Sequence, residues 1–483
     1  MLLLNLLIKP FWIFGIDRSV QNLVGLSEYG YYSAILNFSF LFSILLDFGI
    51  TSFNNRNIAQ NKHLLNKHLS GIIAMRLILA VVYFIVIMTV GLVIGYSKDQ
   101  LQLLAIVGFN QFLLTFIMYL RSNISGLLMF KTDSFISILD RLLMILFVGA
   151  LLLNHTTRSQ FTISWFVYAQ TFAYLITGLY AAFIVFRKSS FIRLNWNLPF
   201  FAMIIKFSFP FAMLTLLMSF YNRIDFVLLE RMLPGNFGDE QSGIYAQAFR
   251  LLDASNMLAY LFAALLLPIF ANMLKNKQCI QPIVKLSFSI LIVISVFSSA
   301  IAWFYAKDIM QLLYPRHSNE SAQLFTERLH ESSVIFQLLM TGFIAMSSSY
   351  VFGTLLTANG SLKILNITAF SCMVLNILLN LILIPHIQAV GSAIASLVSQ
   401  TASTIIQIIV VIKLFKFKPD WKYITGLIAF VTATGMISFF SKLLIPNLLL
   451  GLLLAGLLTL SVAFGLKLLN INNLILLLKK EES

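Results

Sequence analysis

The feature that most constrains this chain is a succession of about fourteen apolar runs, each long enough to cross a bilayer. A helix rises about 1.5 Å per residue, so ~20 mainly apolar residues cover the hydrocarbon core. The predicted spans are Leu4–Gly25, Tyr29–Phe53, Ser70–Gly95, Leu101–Leu120, Ser134–Leu153, Thr162–Phe186, Lys206–Leu229, Gly243–Ala271, Ile283–Tyr305, Ser332–Thr357, Leu362–Pro385, Ala389–Leu414, Trp421–Phe440 and Pro446–Leu468. The segments between them are short, which excludes a string of soluble cores. With 59% hydrophobic and 11% charged residues, the chain is far from the roughly 25% charge of a soluble domain. The expected fold class is an all-α integral membrane protein.

A net charge of +15 raises nucleic acid as a partner, but the basic residues form no single patch. They fall in alternate loops. With both termini on the cytoplasmic side, about 20 basic residues lie in the inside loops against about seven outside, the bias that sets membrane topology. A missed span would scramble that alternation, so the loops support the count. The reading is therefore a multi-pass protein of the bacterial inner membrane, with membrane lipids as neighbours and no nucleic acid. Met1–Phe14 carries Lys9 and no small-residue cleavage site, and is read as the first span rather than a signal peptide. Cys279 and Cys372 are read as free thiols.

A short internal repeat gives the spans an order. Leu26–Ala34 (LSEYGYYSA) and Glu240–Ala248 (EQSGIYAQA) align Gly30 with Gly243 and Tyr32 with Tyr245. Each segment opens the second helix of a six-helix half. Repeats of even helix number enter from the same side and place a transport site at their interface. Chance similarity between apolar sequences is the bland alternative. The expected domains are a bundle at 1–195, a second at 196–415, and two extra spans with a tail at 416–483.

Charges kept inside a bilayer cost at least ~2.5 kcal/mol at its centre, so they mark candidate sites. Counted by depth, Asp17, Arg18, Arg223, Asp225, Arg250 and Asp253 form an outer tier. Arg250 and Asp253, three residues apart, share a helix face. Asp47, Arg121, Asp140 and Arg141 form a tier nearer the cytoplasm. Mutual pairing or snorkelling to the interface is the structural account of either tier. The functional account is a cavity whose guanidinium groups take an anionic substrate such as a pyrophosphate through bidentate bonds. Carboxylates beside them would couple to an ion gradient.

Other signals are few. The sequence holds no GxxxxGK[ST] phosphate loop and no HExxH zinc motif, and the histidines are scattered. No cofactor or metal is expected beyond a coupling proton or sodium ion, and the chain reads as a transporter, not an enzyme. Tyr305–Glu331 reads as an outer loop with a short amphipathic helix on the membrane. The five tryptophans read as interface-belt residues.

Several of these segments resemble Wzx-type polysaccharide flippases of the MATE/MOP superfamily. The carriers are Gly25–Tyr32 followed by Asp47–Ile50, Phe207–Phe211 leading into Tyr221–Leu229, Ser242–Tyr245 with Arg250–Leu252, Pro268–Phe270 and Asn359–Gly360. The resemblance implies two six-helix bundles around a cationic cavity, with two added C-terminal helices. It implies alternating access that moves an undecaprenyl-pyrophosphate-linked oligosaccharide from the cytoplasmic to the periplasmic leaflet, for O-antigen or related polysaccharides. Arg18, Arg223 and Arg250 would meet the pyrophosphate, with Arg121 and Arg141 as further cavity cations. Asp17, Asp225 or Asp253 would serve proton or sodium coupling, with Asp47 a further candidate. A polysaccharide polymerase and a chain-length regulator are the implied protein partners. The first helix departs from the family pattern in lacking the usual polar lead-in, being short at its start, which bears on the roles of Asp17 and Arg18. The rivals are a MATE-type drug exporter, whose cationic substrates these arginines would repel, and a membrane polymerase or glycosyltransferase, which needs a larger outer loop.

Overall fold

An apolar run in lipid can satisfy its backbone N–H and C=O groups within itself only as a helix. The computed structural model of the chain is built in this way. It describes residues 8, 10–51, 54, 58, 64–127, 129–189, 194–316, 320–417 and 420–469. Among them a π-helical stretch, Trp12–Asp17, runs into α1 (Arg18–Val24). There follow α2 (Leu26–Leu41), α3 (Ile44–Asp47), α4 (Leu64–Val93), α5 (Lys98–Gly126), α6 (Phe130–Leu153), α7 (His155–Ser159) and α8 (Ile163–Arg187). The chain continues through α9 (Leu198–Met232), α10 (Asn236–Lys275), α11 (Gln281–Leu313), α12 (Ala322–Ala358), α13 (Leu362–Phe415), α14 (Trp421–Leu444) and α15 (Leu448–Gly465). No strand occurs among the described residues.

Eleven of these helices are long and apolar enough to cross a membrane. One of them, α13, contains two predicted spans. Pro385 has no N–H to continue the helix, and Ile387 and Gln388 leave helical geometry, Gln388 at φ 46°. The buried amides of Asn376 and Asn380 stitch the two arms: Ser392 Oγ donates to Asn380 Oδ1 at 2.8 Å, and Asn376 Nδ2 to Ser399 Oγ at 3.4 Å. Every predicted span from Ser70 onward thus coincides with such a helix. The first two fall on Trp12–Val24 and on α2 and α3, with residues 1–7, 9, 52 and 53 outside the described residues.

Polar side chains end the helices where the sequence turns. Ser97 and Gln100 form a reciprocal capping box at the start of α5. Asn197 caps α9, Ser321 caps α12 and Asn447 caps α15. The segment Tyr305–Glu331 differs from its expected form. Its first part continues α11 to Leu313 and its last part belongs to α12, so its described residues hold no separate surface helix. The Arg328 guanidinium, paired with Glu320 at 2.8 Å, replaces solvent for a charge that sequence alone would place in an open loop.

The chain divides into two compact units, Met1–Gly243 and Ile244–Ser483. In the first, α2 packs on α9 and α5, and α8 packs on α5 and α6. Its tightest crossing joins α2 to the first residues of α10. A Cβ on Gly30 would lie 1.8 Å from the Asp239 carbonyl oxygen, and one on Gly243 would lie 2.3 Å from that of Leu26. Leu26 and Asp239 each stand four residues before the aligned glycine. The stretches that lead into the two glycines of the repeat therefore pack on one another through equivalent positions.

In the second unit α12 packs on α13 and α11, and α14 and α15 add to α11. Helices α11 and α14 run parallel, fastened at both ends. Lys285 meets Asp420 at 2.5 Å at one end, and Lys442 meets Asp308 at the other. Ser289 and Tyr423 bond at 2.7 Å, and Tyr305 donates to Ser441 at 3.1 Å between them. The Lys285 hydrogen bond holds the Asp420 carboxyl below its usual range. Helix α8 also gives a direct check on topology. Reporter fusions after Ser159 and after Ser189 should report opposite sides of the membrane, and the same side for both would break the alternation of spans.

Candidate functional site

Three polar clusters gather several of the charges of the first unit. The first is built on the π-helical Trp12–Asp17 stretch. Tyr29 Oη, from α2, donates to the buried Asp17 carboxylate at 3.0 Å from both oxygens. From α6, the Arg141 guanidinium sits 5.5 Å over the Trp12 ring and pairs with Asp140 at 3.6 Å. Arg141 also lies in the electrostatic field of Asp17, Tyr32 and Tyr174. Gln170 and Tyr32 hydrogen-bond at 3.0 Å beside them. Asp17 and Arg141, set in separate tiers by the depth count, both border the Trp12–Asp17 stretch. Counting residues along straight helices ignores both the wider π-turns and the reach of an arginine side chain. Trp12 likewise leaves the expected interface belt: it is buried, stacked on Phe166 with centroids 5.8 Å apart.

The second cluster closes a break in the second predicted span. After α3, Phe48 and Gly49 adopt φ of 45° and 76°, so the last carbonyls of the helix lose their regular partners. Arg76, on α4 and 2% exposed, reaches into this break. It is ion-paired with Asp47, donates to Thr51 Oγ1 at 2.7 Å and to the Thr115 carbonyl at 3.1 Å, and lies 4.7 Å over the Tyr119 ring. Asp47, expected as an ion-coupling group, is thus held by a buried cation. Arg76 was not among the expected site residues, although it lies six residues into the span Ser70–Gly95, where any charge is conspicuous.

The third cluster ties the start of α5 to the end of α9. Gln100 donates to Glu230 at 2.7 Å and accepts from Arg231 at 2.9 Å, and Arg231 lies 4.1 Å over Tyr96. These residues also escaped the sequence reading, because Gln100 carries no charge and Glu230 and Arg231 fall just past a predicted span end.

The remaining expected residues are distributed as follows. Arg121 is engaged by Asp133 at 2.7 Å. Arg18 is half-buried, and its Nε has no hydrogen-bond partner. On α9, Arg223 donates to Asn37 Oδ1 at 3.3 Å and lies 5.2 Å over Phe40, and Asp225 is fully buried. In the second unit, Arg250 and Asp253 face each other at 3.9 Å across one helical turn, the shared face expected from their spacing.

The family model described as "Polysaccharide biosynthesis protein" matches residues 19–274, which take in the second and third clusters, the first except its Trp12–Asp17 stretch, and the Arg250–Asp253 pair. The chain belongs to that family. No curated protein matches the sequence. Among solved structures, the family member is similar to a lipid II flippase MurJ in an inward closed conformation, with TM-score 0.68 and 15% identity over 96% of this chain and 99% of that one. An inward-facing multidrug resistance MATE family transporter of the MOP superfamily matches with TM-score 0.58 and 14% identity, over 83% and 94%. A MOP superfamily transporter from Pyrococcus furiosus, titled for the reverse polarity of its binding pocket, gives 0.52 and 15%, over 86% and 93%. The fold is therefore that of the MATE/MOP transporters, an all-α membrane architecture.

Proposed function

We propose that this polysaccharide biosynthesis protein flips undecaprenyl-pyrophosphate-linked oligosaccharide units from the cytoplasmic to the periplasmic leaflet of the bacterial inner membrane, by alternating access. The observation that carries the reading is Arg223, a guanidinium kept in a membrane helix and seated on Phe40 and Asn37, in a chain of a polysaccharide family. An intramembrane arginine is costly and is kept where an anion needs it. Arg18, Arg223 and Arg250 take the pyrophosphate in this scheme. Arg121 and Arg141, already engaged by Asp133 and Asp140, shape the surrounding field. Asp17, Asp225 and Asp253 are the carboxylates through which a proton or sodium gradient drives the cycle, and Asp47 serves mainly to hold Arg76. Residues 1–195 and 196–415 act as the two moving bundles and 416–483 as an appendage, with both termini cytoplasmic. The product passes to a polymerase and chain-length regulator for O-antigen or a related polymer.

Proteoliposomes loaded with a fluorescent undecaprenyl-pyrophosphate oligosaccharide give the test. Arg223→Ala should abolish transbilayer movement while the protein still inserts. Arg223→Lys should recover only part of it, since an ammonium lacks the guanidinium fork. Normal flipping by Arg223→Ala would sink the assignment. Movement of cationic drugs with none of the glycolipid would favour a MATE-type exporter, the reading that the fold alone also allows.

A further inference from the structure

At one end of the first unit, helices α6 and α8 splay around the short α7 and leave a groove of about 590 Å³. Its walls are aromatic: Phe147 from α6 and Trp165, Tyr168 and Phe172 from α8. Phe147 and Phe172 meet there with ring centroids 5.2 Å apart. Tyr168 and Phe172 are more than half exposed, so the groove opens away from the protein. Both helices that form it are candidate membrane spans, and an open apolar groove on such a surface faces lipid chains. The volume falls within the ~300–1,000 Å³ range of sites that hold small organic ligands.

The polar end of the groove gives the chemistry of its occupant. Asn154 and Thr157 line it there. Thr157 Oγ1 is turned inward to the Leu151 carbonyl at 2.6 Å, and Asn154 spends its Oδ1 on the Thr156 N–H at 3.1 Å. The Asn154 amide nitrogen can still donate. The exposed Arg158 stands on the same short turn. No Asp or Glu occurs anywhere from residue 141 to residue 224, so the residues that line the groove and the turn at its polar end supply only positive charge. The carboxylate that reaches α8 from elsewhere, Glu28, accepts the Ile163 N–H at 2.7 Å and so sits on a helix N-terminus.

We propose that this groove is a binding site for an anionic phospholipid. One acyl chain lies along Phe147, Trp165 and Phe172, and the headgroup phosphate is held at the Asn154–Arg158 turn. Aromatic rings at the headgroup level hold the glycerol region, and the basic side chain selects the anionic headgroup. The site is separate from the arginines assigned to the transported substrate, and its occupancy does not depend on that assignment.

Tryptophan quenching reads the site directly. The protein is placed in phosphatidylcholine vesicles containing increasing acyl-brominated phosphatidylglycerol, and the signal of Trp165→Phe is subtracted from that of the native chain. The Trp165 component should saturate at a few mole per cent of bromolipid. Arg158→Gln, a change on an exposed side chain, should raise the half-saturating fraction about five-fold. Brominated phosphatidylcholine should quench only in proportion to its amount. Quenching that rises linearly for both headgroups would overturn the proposal and reduce the groove to ordinary lipid contact. Relief of the quenching by polyprenyl phosphate at lower amounts than unlabelled phosphatidylglycerol would overturn it as well, and would make the occupant an isoprenoid.

Discussion

Replacing Arg76 with leucine should lower the stability of the protein by about 3 kcal/mol, the lower end of the range for removing one partner of a buried ion pair. The lower end applies because Asp47 is less deeply buried than Arg76 (side chains 23% and 2% exposed). What is lost is more than the pair. Thr51 Oγ1 and the Thr115 carbonyl lose their donor, and Tyr119 loses the cation on its ring face. The Asp47 carboxylate is left beside a helix break with only Thr51 to bond it. Arg76→Lys should be intermediate, since one ammonium cannot serve Asp47, Thr51 and Thr115 in the planar arrangement of a guanidinium. The double change Asp47→Asn with Arg76→Leu should be less harmful than Arg76→Leu alone, because it removes the stranded charge. Thermal unfolding in one detergent, read for all four proteins, decides the matter. Equal stability of the native chain and Arg76→Leu would show that the cluster contributes nothing.

The sequence made the helices legible because lipid leaves the backbone so little choice. From Ser70 to Leu468 every long apolar run is a helix of spanning length, and even the turn between the arms of α13 could be placed from Pro385. Depth was less legible. A count along straight, ideal helices separates Asp17 from Arg141, whereas Arg141 lies over Trp12 on the same π-helical stretch that ends at Asp17. Residues whose role is to satisfy other residues were the least visible. Gln100 joins Glu230 to Arg231 through an amide that no charge count detects. Arg76 lies inside a span, but its partner Asp47 is 29 residues away, so no local pattern in the sequence joins the two. Tyr305–Glu331 misled for the opposite reason. Its mixed charges suggested solvent, whereas Arg328 and Glu320 neutralise each other and let α12 begin there.

Substituting alanine at Gly30 should be among the most damaging small changes available to this chain. The added methyl would stand 1.8 Å from the Asp239 carbonyl oxygen and 2.6 Å from the Gly243 nitrogen. Both obstacles are backbone, so no side chain can turn aside and the helices themselves must separate. Overpacking of this kind costs about 1–3 kcal/mol even where the core can adjust, and here the upper end or more is expected. Separation would also break the Ser242–Gly30 and Gln21–Gly243 bonds, at 3.3 and 3.4 Å. Gly243→Ala should behave alike, with its methyl 2.3 Å from the Leu26 oxygen, because the stretches leading into the two glycines touch through equivalent positions. Gly108→Ala supplies the contrast. Its nearest obstacle, at 2.6 Å, is the Cδ1 at the end of the Ile87 side chain, which can rotate, so a loss under about 1 kcal/mol is expected. Unfolding measurements on the three variants should rank Gly30→Ala and Gly243→Ala together and well below Gly108→Ala. If all three lose the same amount, the crossing is no tighter than ordinary helix packing, and the repeat has no special contact to protect.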